Sequence, residues 1–319
     1  MHFFSKFHDG AFSRQKSIDT AQRVKANSVA WAAYLLRNAL PDGLSRQQRA
    51  NLKFILGLDR ARPRTRHASN LSLRAPLIEQ FIISMLGIWA ETMGREMQFL
   101  TLTPESWHID EKRPELNVQQ WRAESGRWLK KLGFTGLGMV ELQPYSNHPA
   151  AIDGRVIAAH LHVMGFADDP WTFKERVAEF DSANAKRCSI GAFAVANPIK
   201  LTEADVAMVA YYLFEPLHWS KRLAPSRVAA NKSKHRHDRL PFHLALRCAE
   251  IMSYVAITDL IVTRGSVAWG WRQQLFGAIQ LAQADYTLDE QELDRLWATV
   301  WGQGKERGYD RVSLYPHLD

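Results

Sequence analysis

The chain predicts an α+β fold: a central antiparallel sheet with packed helices, flanked by N-terminal and C-terminal helical regions. Three observations lead there. Between residues 97 and 196, runs of branched and aromatic residues alternate with amphipathic stretches, in the order strand, helix, strand, strand, helix, strand. The strand-like runs at 136–144 and 156–165 are joined only by the loop-like stretch 144–155, so a long antiparallel hairpin can form. Outside this block the apolar residues recur at helical spacing. The organisation that results is a helical N-terminal region over 1–94, a core over 95–219, a basic linker over 220–239 and a helical C-terminal region over 240–319.

Each element has its own signal. Val24, Ser28, Trp31, Leu35 and Leu36 recur at helical spacing within 13–58, broken at Pro41-Asp42-Gly43, and a second helix follows over 46–58. Residues 60–67 form a basic stretch with a proline, suited either to a phosphate backbone or to solvent. Pro76 fits the first turn of a helix over 76–95, in which 81–90 is the most apolar stretch of the chain and reads as buried. Residues 97–104 alternate apolar and hydroxyl side chains, a half-buried strand stopped by Pro104. A helix opens near Val118 with Asn117 as its N-cap and runs through Trp121, Trp128 and Leu132 to Gly133. After the hairpin, 170–185 reads as a helix on Trp171, Phe173, Val177 and Phe180. Residues 189–196 read as a short strand, Asn197-Pro198 as a turn, and Thr202 with Asp205 as a capping box for a helix over 204–216. Residues 240–302 read as helical, most clearly at 240–262 and 289–301, and the tail 302–319 as irregular.

The composition narrows the classes of function. A chain of 319 residues has room for a substantial core, and 46% hydrophobic with 23% charged residues is ordinary for a globular protein. A net charge of +8 and a pI near 9.5 favour a polyanionic partner. Eleven Trp residues offer either stacking surfaces for unpaired bases or packing mass for the core. Two well-separated cysteines, Cys188 and Cys248, exclude a disulfide scaffold and a cysteine-rich zinc module. The N-terminal segment lacks a signal-peptide core, and no apolar run approaches the ~20 residues of a membrane helix, so a cytoplasmic protein without a membrane partner is expected.

The residues that carry chemistry are His160-Leu161-His162. On a strand, positions two apart share a face, so His160 and His162 present two imidazoles side by side while Leu161 turns into the opposite layer. Glu141 lies on the preceding strand, sharing a face with Met139 and Gln143. An antiparallel hairpin would bring this carboxylate to the two imidazoles. A His/His/Glu set with open positions suits Mg²⁺ or Mn²⁺ beside a phosphate, and the ligand types also admit Zn²⁺. Read alone, an H-x-H strand is equally a pair of half-buried histidines, and Glu141 an exposed strand carboxylate.

In order, these pieces resemble the HUH endonucleases: rolling-circle replication initiators of plasmids and phages, with related relaxases and single-strand transposases. That family's first motif is an F-L-T-L-T-type strand, matched by Phe99-Leu100-Thr101-Leu102-Thr103. Its second is His-hydrophobic-His, matched by His160-Leu161-His162, and a carboxylate on the intervening strand, here Glu141, often completes the metal site. Its third is a tyrosine on a helix, commonly followed three residues later by lysine; the candidates are Tyr211 and Tyr212. Three on from these stand Phe214 and Glu215, so the lysine is absent. The resemblance spans about 95–220 and implies an HUH, ferredoxin-like nuclease core. It also implies Mg²⁺ or Mn²⁺ at Glu141, His160 and His162, and DNA contacts at Thr101 and Thr103. The implied activity is nicking and joining of single-stranded DNA or an origin hairpin through a 5′-phosphotyrosine, with a host helicase as partner. A transposase or mobilisation relaxase is the sister reading. A DNA-binding protein without cleavage is the reading from another class.

Two further expectations come from the residues. On a helix, Val206, Ala210, Leu213 and Leu217 form one apolar stripe, and Tyr212 lies nearer to it than Tyr211. The family spacing of an apolar residue three before the tyrosine, Val209 here, also selects Tyr212. The run 220–239 is dense in basic side chains, among them Lys221, Arg222, Lys232, Lys234 and Arg236, and reads as either a nucleic-acid contact or a flexible linker. Lys221 and Arg222 are candidates to stand in for the missing lysine.

Overall fold

The structure is a computed structural model. It describes residues 95–112, 114–145, 155–188, 195–202, 219–223, 235–239 and 242–285, with single positions or short groups between 50 and 82, at 148, and between 205 and 213. Its centre is the hairpin of β3 (Phe134–Tyr145) and β4 (Val156–Ala167), twelve residues each, paired antiparallel along their whole length from Phe134↔Ala167 to Tyr145↔Val156. All twelve residues of β4 are buried. A strand with neighbours on both edges and cover on both faces is expected to read as a nearly continuous apolar run, and β4 does so apart from its two histidines.

The other strands build outward from this hairpin. On the free edge of β4 lie β1 (Met97–Leu102) and then, further along, the short β2 (His108–Asp110), both antiparallel to it. Beyond β1 comes β5 (Ala196–Lys200). On the far side of β3, β6 (Trp219–Leu223) pairs parallel at Tyr145↔Lys221 and continues to β7 (His235–Arg239), while β8 (Ile261–Arg264) pairs antiparallel over Gly136–Met139. The path β5-β1-β4-β3-β6-β7, with β2 and β8 alongside, is a mostly antiparallel sheet with packed helices, the α+β class expected.

Helices α1 (Val118–Leu132) and α2 (Pro170–Asn184) pack on the sheet face that carries Phe134; Phe173 of α2 tilts against the Phe134 ring at 5.6 Å. The buried side of α1 is Trp121, Ser125, Trp128, Leu129 and Leu132, and that of α2 is Phe173, Val177, Phe180 and Asn184, the spacing that places one stripe against a sheet. Trp107, in the turn before β2, stacks on Trp128 at 5.9 Å, and Trp128 meets Phe180 edge-on at 5.3 Å. These tryptophans are therefore packing residues, one of the two uses the composition left open. Gly133 ends α1 at φ 64°, its amide donating to the Leu129 and Lys130 carbonyls, a left-handed stop that costs glycine little.

Several local expectations are corrected. Asn117 opens α1 with its carbonyl but makes no side-chain cap bond, because its backbone (ψ 54°) is not in the extended conformation that swings a cap side chain over the first turn. Asn197-Pro198 is not a turn but part of β5; an edge strand tolerates a proline because one of its sides needs no N–H donor. Residues 240–302 are not uniformly helical: α3 (Phe242–Ser253) and α4 (Ile257–Leu260) give way to β8 before α5 (Ser266–Asp285), the branched Ile261, Val262 and Thr263 joining the sheet. Both ends of the basic run 220–239 lie in the paired strands β6 and β7. The expected strand at 189–196 is described only at its end; of the helices of 13–58 only positions 50, 52, 53 and 56 are described, the first three helical, and that of 289–301 lies outside the described residues, as do most of 60–67 and 76–95.

Two glycines predict opposite outcomes. A Cβ on Gly138 would overlap the His162 carbonyl oxygen across the β3–β4 pair, and backbone cannot swing aside. Gly138→Ala should cost about 1–3 kcal/mol as overpacking. A Cβ on Gly126, inside α1, meets nothing within 4 Å, so Gly126→Ala should stabilise by up to about 1 kcal/mol. Urea midpoints of the two variants check both signs.

Candidate metal centre

In an antiparallel pair, directly opposite residues share a face. The register sets Glu141 opposite His160 and Met139 opposite His162, while from the other side Thr101 stands opposite His162. The hairpin expected from 144–155 therefore does bring Glu141 to the two histidines, on the face turned away from Phe134 and α2. Glu141 Oε2 lies 3.5 Å from Nε2 of His160 and 3.5 Å from Nε2 of His162. The imidazoles are 5% and 3% exposed, and their planes stand at 89° with centroids 4.5 Å apart. Among the described residues this is the group whose donor atoms come together, all within 4.8 Å of one another.

The far nitrogens of both rings are held. His160 Nδ1 lies 3.3 Å from the Ala158 carbonyl, which can only accept, so Nδ1 is the donor in that contact and Nε2 is the nitrogen turned toward Glu141. His162 Nδ1 lies 2.9 Å from Thr101 Oγ1, and the Phe99 ring stacks on the imidazole at 4.9 Å and 17°. Two imidazole nitrogens and a carboxylate oxygen are the donor types of a borderline divalent ion. Ligands about 2.1 Å from one ion sit roughly 3.0 to 3.4 Å apart, close to the two separations from Glu141, while the whole set lies within 4.8 Å. The residues fit such an ion, and its identity stays open between Mg²⁺, Mn²⁺ and Zn²⁺.

The same face continues into a second group, in which His108 was missed in the sequence. His108, on β2, stands opposite Ala158, as does Gln143 from β3, so both adjoin the His160–Glu141 row. The fully buried His148 packs edge-on against His108 at 4.9 Å and against Tyr145 at 5.7 Å. Burial first, then the neighbouring His148 and His160 rings, lower the His108 imidazole to about 4. Burial also lowers His148, against an opposing pull from Glu105. It pushes the Tyr145 phenol up to about 12, which leaves that tyrosine neutral in ordinary buffers. The signal for His108 was weak because β2 is three residues long and its partner strand is some fifty residues on.

The remaining candidates are placed as follows. Thr101 spends its hydroxyl contact on His162, and Thr103 donates its amide to the Val195 carbonyl while its hydroxyl faces the Cys188 thiol. Neither cysteine is in a disulfide; Cys188 is half-buried and Cys248 buried, and burial raises both thiols. Lys221 and Arg222 lie on β6 and Arg236 on β7, with Lys221 in register with Tyr145 and Arg222 with Arg236. Lys232, Lys234, Tyr211 and Tyr212 lie outside the described residues. In the segment that holds the tyrosines, positions 205, 209, 210 and 213 are helical, Val209, Ala210 and Leu213 are buried, and Asp205 accepts from both the amide and the hydroxyl of Thr202 at 2.7 Å, which forms the expected cap. No helix among the described residues is long and apolar enough to cross a membrane. No family model, curated protein or solved structure matches the chain.

The lowered histidine predicts an acid response. An imidazole moved from 6.5 to about 4 is neutral in the folded protein while the unfolded chain takes up a proton. Its contribution to stability is complete above pH 6.5 and is lost as the pH falls from there toward 4. Urea midpoints between pH 7 and about 4.5 should fall more for the wild type than for His108→Gln; parallel curves would remove His108 from the acid response.

Proposed function

We propose that the protein is a metal-dependent nuclease that nicks and rejoins single-stranded DNA through a tyrosine, and so initiates rolling-circle replication of a plasmid or phage. The observation that carries this reading is the convergence of Glu141 with His160 and His162, from two central strands, onto one sheet face, with the Phe99–Thr103 segment running beside them. That arrangement supports the resemblance to the first two HUH motifs and their intervening carboxylate. The basic balance of the chain and the basic strands β6 and β7, next to β3, suit the polyanionic substrate.

Glu141 and the two Nε2 atoms would hold the divalent ion, which supplies a Lewis acid for a phosphate oxygen. The protein's own residues do the rest. His160 and His162 sit in a buried layer, and the contacts of their Nδ1 atoms with Ala158 and Thr101 hold them in orientation. The Tyr212 oxygen attacks phosphorus, the bond to the 3′-oxygen breaks, the phenol proton passes to solvent and the 3′-oxygen takes up a proton. The products are a 5′-phosphotyrosine and a free 3′-OH, and the later attack of a 3′-OH on the same phosphorus reverses the step. A second reading, a single-strand or origin-binding protein without cleavage, draws on Glu215, which stands where the family carries lysine.

Incubation with Mn²⁺ and a pool of labelled single-stranded oligonucleotides separates the two readings. Wild type should form a covalent adduct that survives denaturing electrophoresis. His160→Ala and His162→Ala should lower its rate by at least about a hundredfold, since each removes a ligand of the Lewis acid. Tyr212→Phe should abolish the adduct and Tyr211→Phe should retain it. Binding with no wild-type adduct across the pool would leave the non-cleaving reading.

The basic run generates its own expectation. Each neutralised contact with single-stranded DNA reduces the slope of log affinity against log salt by about 0.7, so removing Lys232, Lys234 and Arg236 together should flatten it by about 2. An unchanged slope would assign DNA contact to other parts of the surface.

A further inference from the structure

The family resemblance implies DNA contacts for Thr101 and Thr103 of the F-L-T-L-T strand. The structure turns Thr101, together with Phe99, toward a histidine. Phe99 and Thr101 both lie on the face of β1 that carries His162, since Thr101 stands opposite His162 and Phe99 opposite Met164. The Phe99 ring lies nearly parallel to the imidazole at 4.9 Å, and Thr101 Oγ1 meets Nδ1 at 2.9 Å. The stack restrains the ring plane, and the hydroxyl marks which edge faces β1. Together they leave Nε2 as the atom directed at Glu141, 3.5 Å away.

We infer that Thr101, with Phe99 behind it, is a positioning residue for His162: the pair aims its Nε2 into the metal centre. The inference rests on the reading of Glu141, His160 and His162 as a metal centre. His160 has a counterpart in the Ala158 carbonyl, a backbone group two residues away on its own strand. His162 Nδ1 meets a side chain 61 residues distant in sequence. A ligating imidazole needs its other nitrogen held, because the hydrogen bond there sets both tautomer and direction, and losing such a partner typically weakens metal binding ten- to hundredfold. With Nε2 on the ion, Nδ1 bears the proton and donates it to Thr101 Oγ1. Thr101→Val keeps the branched shape and removes this acceptor, while Thr101→Ser keeps the acceptor and removes a methyl.

The test uses the full chain, Mn²⁺ alone as probe and ¹⁵N-labelled histidine. Calorimetric Kd values for Mn²⁺ should be ten- to hundredfold weaker in Thr101→Val and within about threefold of wild type in Thr101→Ser. In the metal-free proteins the His162 Nδ1 resonance should move in Thr101→Val and stay in place in Thr101→Ser. Should Thr101→Val not fold, Thr101→Ala removes the same hydroxyl with less bulk. An unmoved Nδ1 resonance, or a Kd in the valine variant within threefold of wild type, overturns the inference. Wild-type protein that binds no Mn²⁺ overturns the metal-centre reading, an outcome distinct from a bound metal indifferent to Thr101.

Discussion

The register between β3 and β4 is the constraint on which the rest of the site depends. Side chains alternate along a strand with period two, so a slip of one residue in the twelve-residue pairing would move Glu141 to the opposite face from His160 and His162. The register is held by the whole length of the hairpin. One face of β3 carries Phe134, Val140 and Leu142, which must stay buried, and Gly138 permits an approach to the His162 backbone that no other side chain would allow. The apolar face thus sets which residues line the polar one.

Burying two imidazoles and a carboxylate in the middle of a sheet is costly unless the polar atoms are engaged. The structure engages each Nδ1, one through a backbone carbonyl and one through a threonine, and turns each Nε2 toward the same carboxylate oxygen. Two imidazole nitrogens and a carboxylate oxygen turned toward one another suit a small cation placed between the three groups. The neighbouring His108 and His148 follow the other course: burial disfavours the charge of both, and the His148 and His160 rings add to that at His108. One sheet face therefore holds a row built to gather donors beside a row built to exclude charge.

The opposite face does the structural work. Trp107, Trp121, Trp128 and Phe180 form an aromatic layer that ties α1 and α2 to the sheet, and Trp107 Nε1 donates to Glu124 at 2.6 Å, which satisfies the one polar atom such a ring brings into a core. With the helices on that side, β1 is pinned between β4 and β5 and can serve as a rigid support for His162.

The sequence by itself determined the parts that depend on local pattern. Alternation and branched residues marked the strands over 97–103, 136–143 and 156–165, turn residues between the last two marked a hairpin, and His160-Leu161-His162 could place two imidazoles only on one face. Tertiary structure decided what depends on partners far along the chain. Ile261–Arg264 is a strand only because the edge of β3 is open to it, and Asn197-Pro198 is extended only because β1 pairs with one side of it. Glu141 became a partner of His160 through the register of the twelve-residue pairing, and His108 joined the same face through a three-residue strand too short to carry a period. Thr101 was legible as a hydroxyl on a strand; its contact with His162 appeared when two strands 61 residues apart were laid side by side. Periodicity is a property of neighbouring residues, whereas register and adjacency are properties of the folded sheet, and the candidate site is made of both.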